Sequence, residues 1–210
     1  MDLIKIKQIL HDEMFEKVSW TGEKSGKYYH GERVAELALN LKEYIQPGDN
    51  GHDDIIRVAG WFHDVKNGED NHALIGAERM KILLAEHCTE SELAQIYEII
   101  YRHDDRMADR DEFSLYAKIQ QDADFLDHFG TYDIWQAFII AGIGARTIFE
   151  EIARLKEWTP KLVEEYESLL NFDISKKIYR EKVEFRRDFL ERFEIEAMGG
   201  IFNEKIVSGE

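Results

Sequence analysis

Apolar residues return at three- and four-residue intervals along almost the whole of this 210-residue chain, and only two prolines interrupt them. That spacing keeps one face of an α-helix apolar, whereas a half-buried strand needs strict alternation. No segment reads as an alternating strand. Leu, Ile, Ala, Glu and Lys are abundant, which favours helices. Hydrophobic residues reach 44% of the chain, enough to bury a sizeable core. The expected fold class is therefore all-α, a helical bundle.

Turn signals divide the pattern. A first helix is expected at about residues 3–17, and the polar run 19–27, with two glycines, reads as a loop. A second helix covers about 29–45 and stops before Pro47-Gly48. Asp53 or Asp54 is placed to cap a third helix that ends near Asp64. A polar turn at 66–71 leads to a fourth helix at about 72–87. Thr89 or Ser91 caps a fifth that runs to about His103. A charged loop at 104–111 precedes a sixth helix at about 113–129. Helical pattern continues at 134–143, 145–158, 161–170 and 175–193, before Gly199-Gly200 opens a frayed tail.

The formal net charge of −16 repels a phosphate backbone, so nucleic acid is not an expected partner. Cys88 is the single cysteine and cannot form an internal disulfide, which fits a reducing compartment. The N-terminal segment MDLIKIKQILHDEMFEK lacks a signal-peptide core and a small-residue cleavage site. The apolar run 137–143 is far shorter than the roughly 20 residues that span a bilayer. A cytoplasmic protein with no membrane partner is expected.

Several of the eight histidines stand at the ends of apolar helical faces. His30 is followed at helical spacing by Val34, Leu37 and Leu41. His63 is preceded by Ile56, Ala59 and Gly60, and His103 by Ile96, Ile99 and Ile100. Helix ends that converge inward make a polar cup inside an apolar bundle, which is how bundle metal sites are built. A single such histidine is more often a hydrogen-bonded core residue. The His-Asp dipeptide adds little by itself, because it recurs at His11-Asp12, His52-Asp53 and His103-Asp104. His63-Asp64 differs in closing an apolar helix, VAGWFHDV.

The ordered set HGERVAELALNL, VAGWFHDV, NHALIGAERMKIL, IYEIIYRHDD and KIQQDADFLDHFG resembles the HD superfamily of metal-dependent phosphohydrolases over roughly residues 29–130. The resemblance implies an HD-domain helical bundle. Its metal-site core would lie at about 27–130 with additional C-terminal helices at about 131–198, all within one domain over 1–210. It implies that His30, His63, Asp64 and an aspartate of QQDADFLD bind a metal. Ala123-Asp124-Phe125-Leu126 fits the family's distal motif and favours Asp124; Asp122, which shares a face with Ile119, Leu126 and Phe129, is the alternative. Two-metal members add two further histidines, and His72 and His103 stand in those places, with Asp64 then bridging. One ion and two ions both remain open. Mixed imidazole and carboxylate ligands suit Mn, Fe, Co, Ni or Zn better than Ca or Mg.

The implied activity is hydrolysis of a phosphoester or phosphoanhydride by metal-activated water. The implied substrate is a small phosphorylated molecule, by family habit a nucleotide. No GYP motif is present, so a cyclic dinucleotide is not indicated. Asp64 and Lys66 are the catalytic candidates, although Lys66 stands one position earlier than the family's usual lysine. Arg33, Lys66 and Arg106 are candidates for holding phosphate. Asp104, Asp105 and Asp127 could orient ligands or water, or be solvated charges. The C-terminal aromatics Trp135, Phe138, Phe149, Trp158, Tyr166 and Phe172 read as core or as contact to a second copy in a homodimer. Two other readings are a di-iron oxygenase of the HD type and a non-catalytic nucleotide sensor.

Overall fold

The computed structural model describes residues 1–106 and 110–202. Among these residues it contains nine α-helices, two short 3-10 turns and no strand beyond an isolated bridge between Val18 and Lys24. Residues 107–109 of the charged loop expected at 104–111, and the tail beyond Phe202, lie outside the described residues. No described helix is long and apolar enough to cross a membrane. The chain divides into two compact units: residues 1–127 with 169–175, and residues 128–168 with the chain from 176 on.

The first unit is built around α3 (Asp53–Phe62). Seven of its ten residues are buried, and Asp53, Asp54 and Arg57 occupy its remaining polar face. Burying a side chain such as Phe62 or Ile56 contributes about 1.5–3 kcal/mol. Around it stand α1 (Leu3–Met14), α2 (Gly26–Ile45), α4 (His72–Leu84), α5 (Glu90–Arg102) and α6 (Leu115–Asp127). Thr89 and Glu92 close a reciprocal capping box at the start of α5, which selects Thr89 over Ser91 as its cap. His52, and neither Asp53 nor Asp54, is the residue that precedes α3; both acids lie in its first turn, where the helix dipole favours them.

α2 begins earlier than its sequence pattern indicates. Gly22 and Gly26 mark the preceding segment as loop, yet Gly26 is already helical. Ser25, in a left-handed conformation at φ 60°, turns the chain into the helix, and its hydroxyl donates to the Phe15 carbonyl. One further feature of α2 sets the site. A Cβ on Gly60 of α3 would lie 2.6 Å from the Cα of Ala35, and one on Gly31 would lie 2.8 Å from the Trp61 carbonyl oxygen. The two backbones therefore approach closely at Gly31 and Gly60, with only the methyl group of Ala35 at the contact with Gly60. That contact brings His30 and His63 face to face.

The second unit contains α7 (Thr131–Ile143), α8 (Ile148–Tyr166) and most of α9 (Asp173–Ala197). Ala137, Leu155 and Leu190 form a small core against which Phe189 packs. The sequence pattern indicates two helices on either side of Pro160, but α8 runs through it unbroken. A proline inside a helix removes one intrahelical donor and crowds the carbonyl four residues back, at about 3 kcal/mol, so its turn needs support from elsewhere. The turn before it is fastened: the Thr159 hydroxyl donates to the Leu155 carbonyl at 2.7 Å, and the buried Arg186 guanidinium bonds Thr159 and Asp133. Burial lowers the Arg186 pKa to about 10.

Candidate metal centre

Four histidines and two aspartates from five helices of the first unit converge at helix ends. His30 lies in the second turn of α2. His63 and Asp64 follow the last residue of α3. His72 opens α4, His103 follows α5, and Asp124 lies in the last turn of α6. All are buried except His72, which is half-buried.

The imidazoles are held by the same device. His63 Nδ1 lies 2.8 Å from the Gly60 carbonyl oxygen, and His103 Nδ1 lies 2.7 Å from that of Ile100, each in the last turn of its own helix. Carbonyls in the last turn have spare acceptor capacity, so each ring bonds one while fixing its own orientation; that of Ile100 also accepts from the His103 backbone N–H. His30 Nδ1 lies 2.8 Å from Asp127 Oδ2. An Nδ1–H committed to an acceptor leaves Nε2 as the ligating atom.

The Nε2 atoms then face one another in two pairs: His30 and His63 at 3.1 Å, and His72 and His103 at 3.2 Å. Two lone pairs at that distance repel unless a proton or a cation lies between them. Asp64 joins the pairs. Its Oδ2 lies 3.6 Å from His30 Nε2 and 3.7 Å from His63 Nε2, while its Oδ1 lies 3.6 Å from His72 and 3.8 Å from His103. Asp124 Oδ1 adds to the first pair, 3.1 Å from His30 and 3.4 Å from His63. Thus His30, His63 and Asp64 form one group able to hold an ion, and Asp64, His72 and His103 form a second. Imidazole nitrogens and carboxylate oxygens in this ratio are the donor set of a divalent transition metal.

The protonation of the metal-free centre follows its charges. Burial depresses His30, but hydrogen bonds to Asp124 and Asp127 outweigh it and raise the pKa to about 9. A proton on His30 then stands where a cation would relieve the first pair. Burial, reinforced by His63, lowers His103 to about 4, so its ring is neutral. Asp64 is held below the usual carboxylate range: burial opposes this, and His63, Lys27 and His30 override it.

Asp122 is turned to other work. It accepts from the backbone N–H of Asn171 at 2.8 Å and of Phe172 at 3.1 Å, and from the Asn171 amide at 2.8 Å. Asp124→Ala is accordingly expected to lose metal, whereas Asp122→Ala should keep it and lose about 1–3 kcal/mol of stability through its stranded donors. Metal content and melting curves of the two variants check this, and the reverse pattern would refute it.

The cations expected near phosphate are placed unequally. Arg106 donates to Asp124 Oδ2 at 2.8 Å and to the Gln121 carbonyl at 2.6 Å. Arg33 grips Asp127 with two bonds of 2.8 Å. Lys66 instead pairs with Glu69 at 3.0 Å. The cation on the shared carboxylate is Lys27, 2.5 Å from Asp64 Oδ2. The sequence pattern places Lys27 in a loop and gives it no role. The available signal is its position one helical turn before His30. Asp127 supports His30 from the next turn beyond Asp124, and Asp104 lies 3.7 Å from His72 Nδ1, an ion-pair distance and not a hydrogen bond.

Residues 28–128 match the family model of the HD domain. No curated protein matches the chain. Among solved structures, an HD-superfamily hydrolase from Bacillus thuringiensis is 24% identical, with 93% of this chain and 98% of that one covered and a TM-score of 0.67. A predicted HD-superfamily hydrolase from an uncultured Thermotogales bacterium is 23% identical, with 92% of each chain covered and a TM-score of 0.60. Bacillus subtilis YpgQ in complex with ADP is 20% identical, with 91% of this chain and 92% of that one covered and a TM-score of 0.60. The fold is shared with these proteins.

Proposed function

We propose, from the premise that residues 28–128 of this chain are an HD domain, that it is a metal-dependent phosphohydrolase acting on a nucleotide. The observation that carries this reading is the pair of facing Nε2 couples joined by the single carboxylate of Asp64. His30, His63, Asp64 and Asp124 would hold one ion, and Asp64, His72 and His103 a second. Mn, Fe, Co, Ni and Zn all suit these ligands. Divalent ions held there supply Lewis acidity, which lowers the pKa of water and polarises a phosphoryl oxygen.

The chain's own residues do the rest. Asp127 keeps His30 oriented through Nδ1. Arg106 fixes Asp124 and places positive charge at the rim, where a phosphoryl group gains negative charge during transfer. The ADP bound by YpgQ, a protein of the same fold, supports a nucleotide as the substrate.

The test joins metal counting to turnover. Protein loaded with excess Mn or Fe and desalted is expected to carry about two ions per chain and to release phosphate or a nucleotide fragment from some member of a nucleotide panel. His72→Ala and His103→Ala should each reduce the count towards about one, since they serve mainly the second group. A wild-type count that never exceeds one would remove the second ion from the reading. Tight nucleotide binding without turnover, in protein with its full metal, would defeat the hydrolase assignment.

A further inference from the structure

We infer that Lys27 is the phosphate-binding cation of this site, holding Asp64 in the metal-free protein and turning to the substrate's phosphoryl oxygens once metal engages that carboxylate. The inference rests on the phosphohydrolase reading and assigns within it the role that the sequence pattern gives to Lys66.

Arg33, Arg106, Lys66 and Lys27 lie near the cluster or its flanking segments, and their bonding separates them. Arg33 holds Asp127 with its Nε and Nη2 together. Arg106 is fixed by a backbone carbonyl as well as by Asp124, and only 15% of its side chain is exposed. Lys66 is paired with Glu69, outside the cluster. Lys27 pairs with Asp64 Oδ2, its one ion pair among the described residues, and its side chain is 32% exposed while that of Asp64 is 6% exposed. Its ammonium group therefore sits at the boundary between the buried carboxylate and solvent, which is where a phosphate would arrive.

The partner matters as much as the exposure. Both oxygens of Asp64 are engaged by protein donors: Lys27 on Oδ2, and the Asn67 amide on Oδ1 at 3.2 Å. Of these two donors only Lys27 brings positive charge, the charge that a divalent ion held by Asp64 would otherwise supply. A divalent ion competes for the same oxygens and repels an ammonium ion nearby. Loading the centre thus weakens the ion pair of Lys27 with Asp64 while leaving those of Arg33 and most of those of Arg106 in place. A lysine on a flexible four-carbon stem can follow the charge to a phosphate, whereas a guanidinium held in a planar fork cannot do so without breaking two bonds.

The experiment measures binding of inorganic phosphate by calorimetry to Mn-loaded wild-type protein and to the variants Lys27→Gln, Lys27→Arg and Lys66→Gln. Lys27→Gln is expected to retain the wild-type metal count and a cooperative melting transition, and to bind phosphate about tenfold more weakly, as befits loss of one charge-assisted hydrogen bond. Lys27→Arg should recover part of the loss. Phosphate affinity unchanged in Lys27→Gln would overturn the inference. So would loss of metal in that variant, which would make Lys27 a support for Asp64, or a loss that falls on Lys66→Gln instead. Loaded wild-type protein that binds no phosphate overturns the assignment and leaves the metal centre standing. Wild-type protein that takes up no metal overturns the hydrolase reading itself, and this assignment with it.

Discussion

Replacing Asp64 with alanine is expected to empty both halves of the centre at once. Each other ligand serves one group, but the two oxygens of Asp64 face opposite pairs. The variant should fall from about two ions per chain to well below one, and any phosphohydrolase activity should drop on the order of a thousandfold or more, because both the ions and their spacing are lost. The change also strands Lys27, whose ion pair with Asp64 is removed. Asp64→Asn serves as the companion variant, since it keeps the shape and the Asn67 contact while losing the charge. Elemental analysis of folded variants decides the matter. An Asp64→Asn protein that keeps both ions at wild-type affinity would show that the carboxylate does not bridge them.

Stripping the metal is expected to lower the melting temperature of the first unit substantially. The ligands come from five helices, and the unfolded chain does not hold them together. An ion present at about a thousand times its dissociation constant adds about 4 kcal/mol to the native state. For a chain of this length, about 2–4 °C accompanies each kcal/mol, so one such ion should account for roughly 10 °C. Melting curves of the chelated, dialysed protein and of the reloaded protein give the comparison. Equal melting temperatures after verified removal would place the native metal elsewhere or nowhere.

The bundle is legible in the sequence because it depends on local rules, whereas Asp64, His72 and Asp124 enter only through the resemblance to the HD superfamily. An apolar stripe ending in histidine says which face is buried and where it stops, and His30, His63 and His103 are all marked that way. Asp124 and Asp122 occupy the same stretch of helix, two residues apart, so spacing alone leaves them close rivals. They are separated by Asn171 and Phe172, almost fifty residues further on, which claim Asp122. Lys27 is hidden for a different reason. Its neighbours Gly22 and Gly26 carry a strong loop signal, and the bond from Ser25 to Phe15 that starts the helix early is tertiary. Lys66 stands close to Asp64 in sequence, and the turn that follows Asp64 carries its side chain to Glu69. The unbroken course of α8 through Pro160 is equally invisible locally, since Arg186 lies far along the chain from Thr159.

The glycine contact between α2 and α3 has a mechanical consequence. Two backbones packed with no room for a methyl group cannot slide or rotate past one another without colliding. His30 and His63 are thus carried on two helices interlocked at Gly31, Ala35 and Gly60. The opening lies across the centre. His72 begins a helix reached through the turn at residues 63–71, a methyl group on Gly76 would find ordinary room against the His63 carbonyl, and the His72 side chain is 24% exposed where those of His30, His63 and His103 are nearly sealed. The solvent-facing histidine of the cluster is therefore His72, while His30, His63 and His103 form its closed wall.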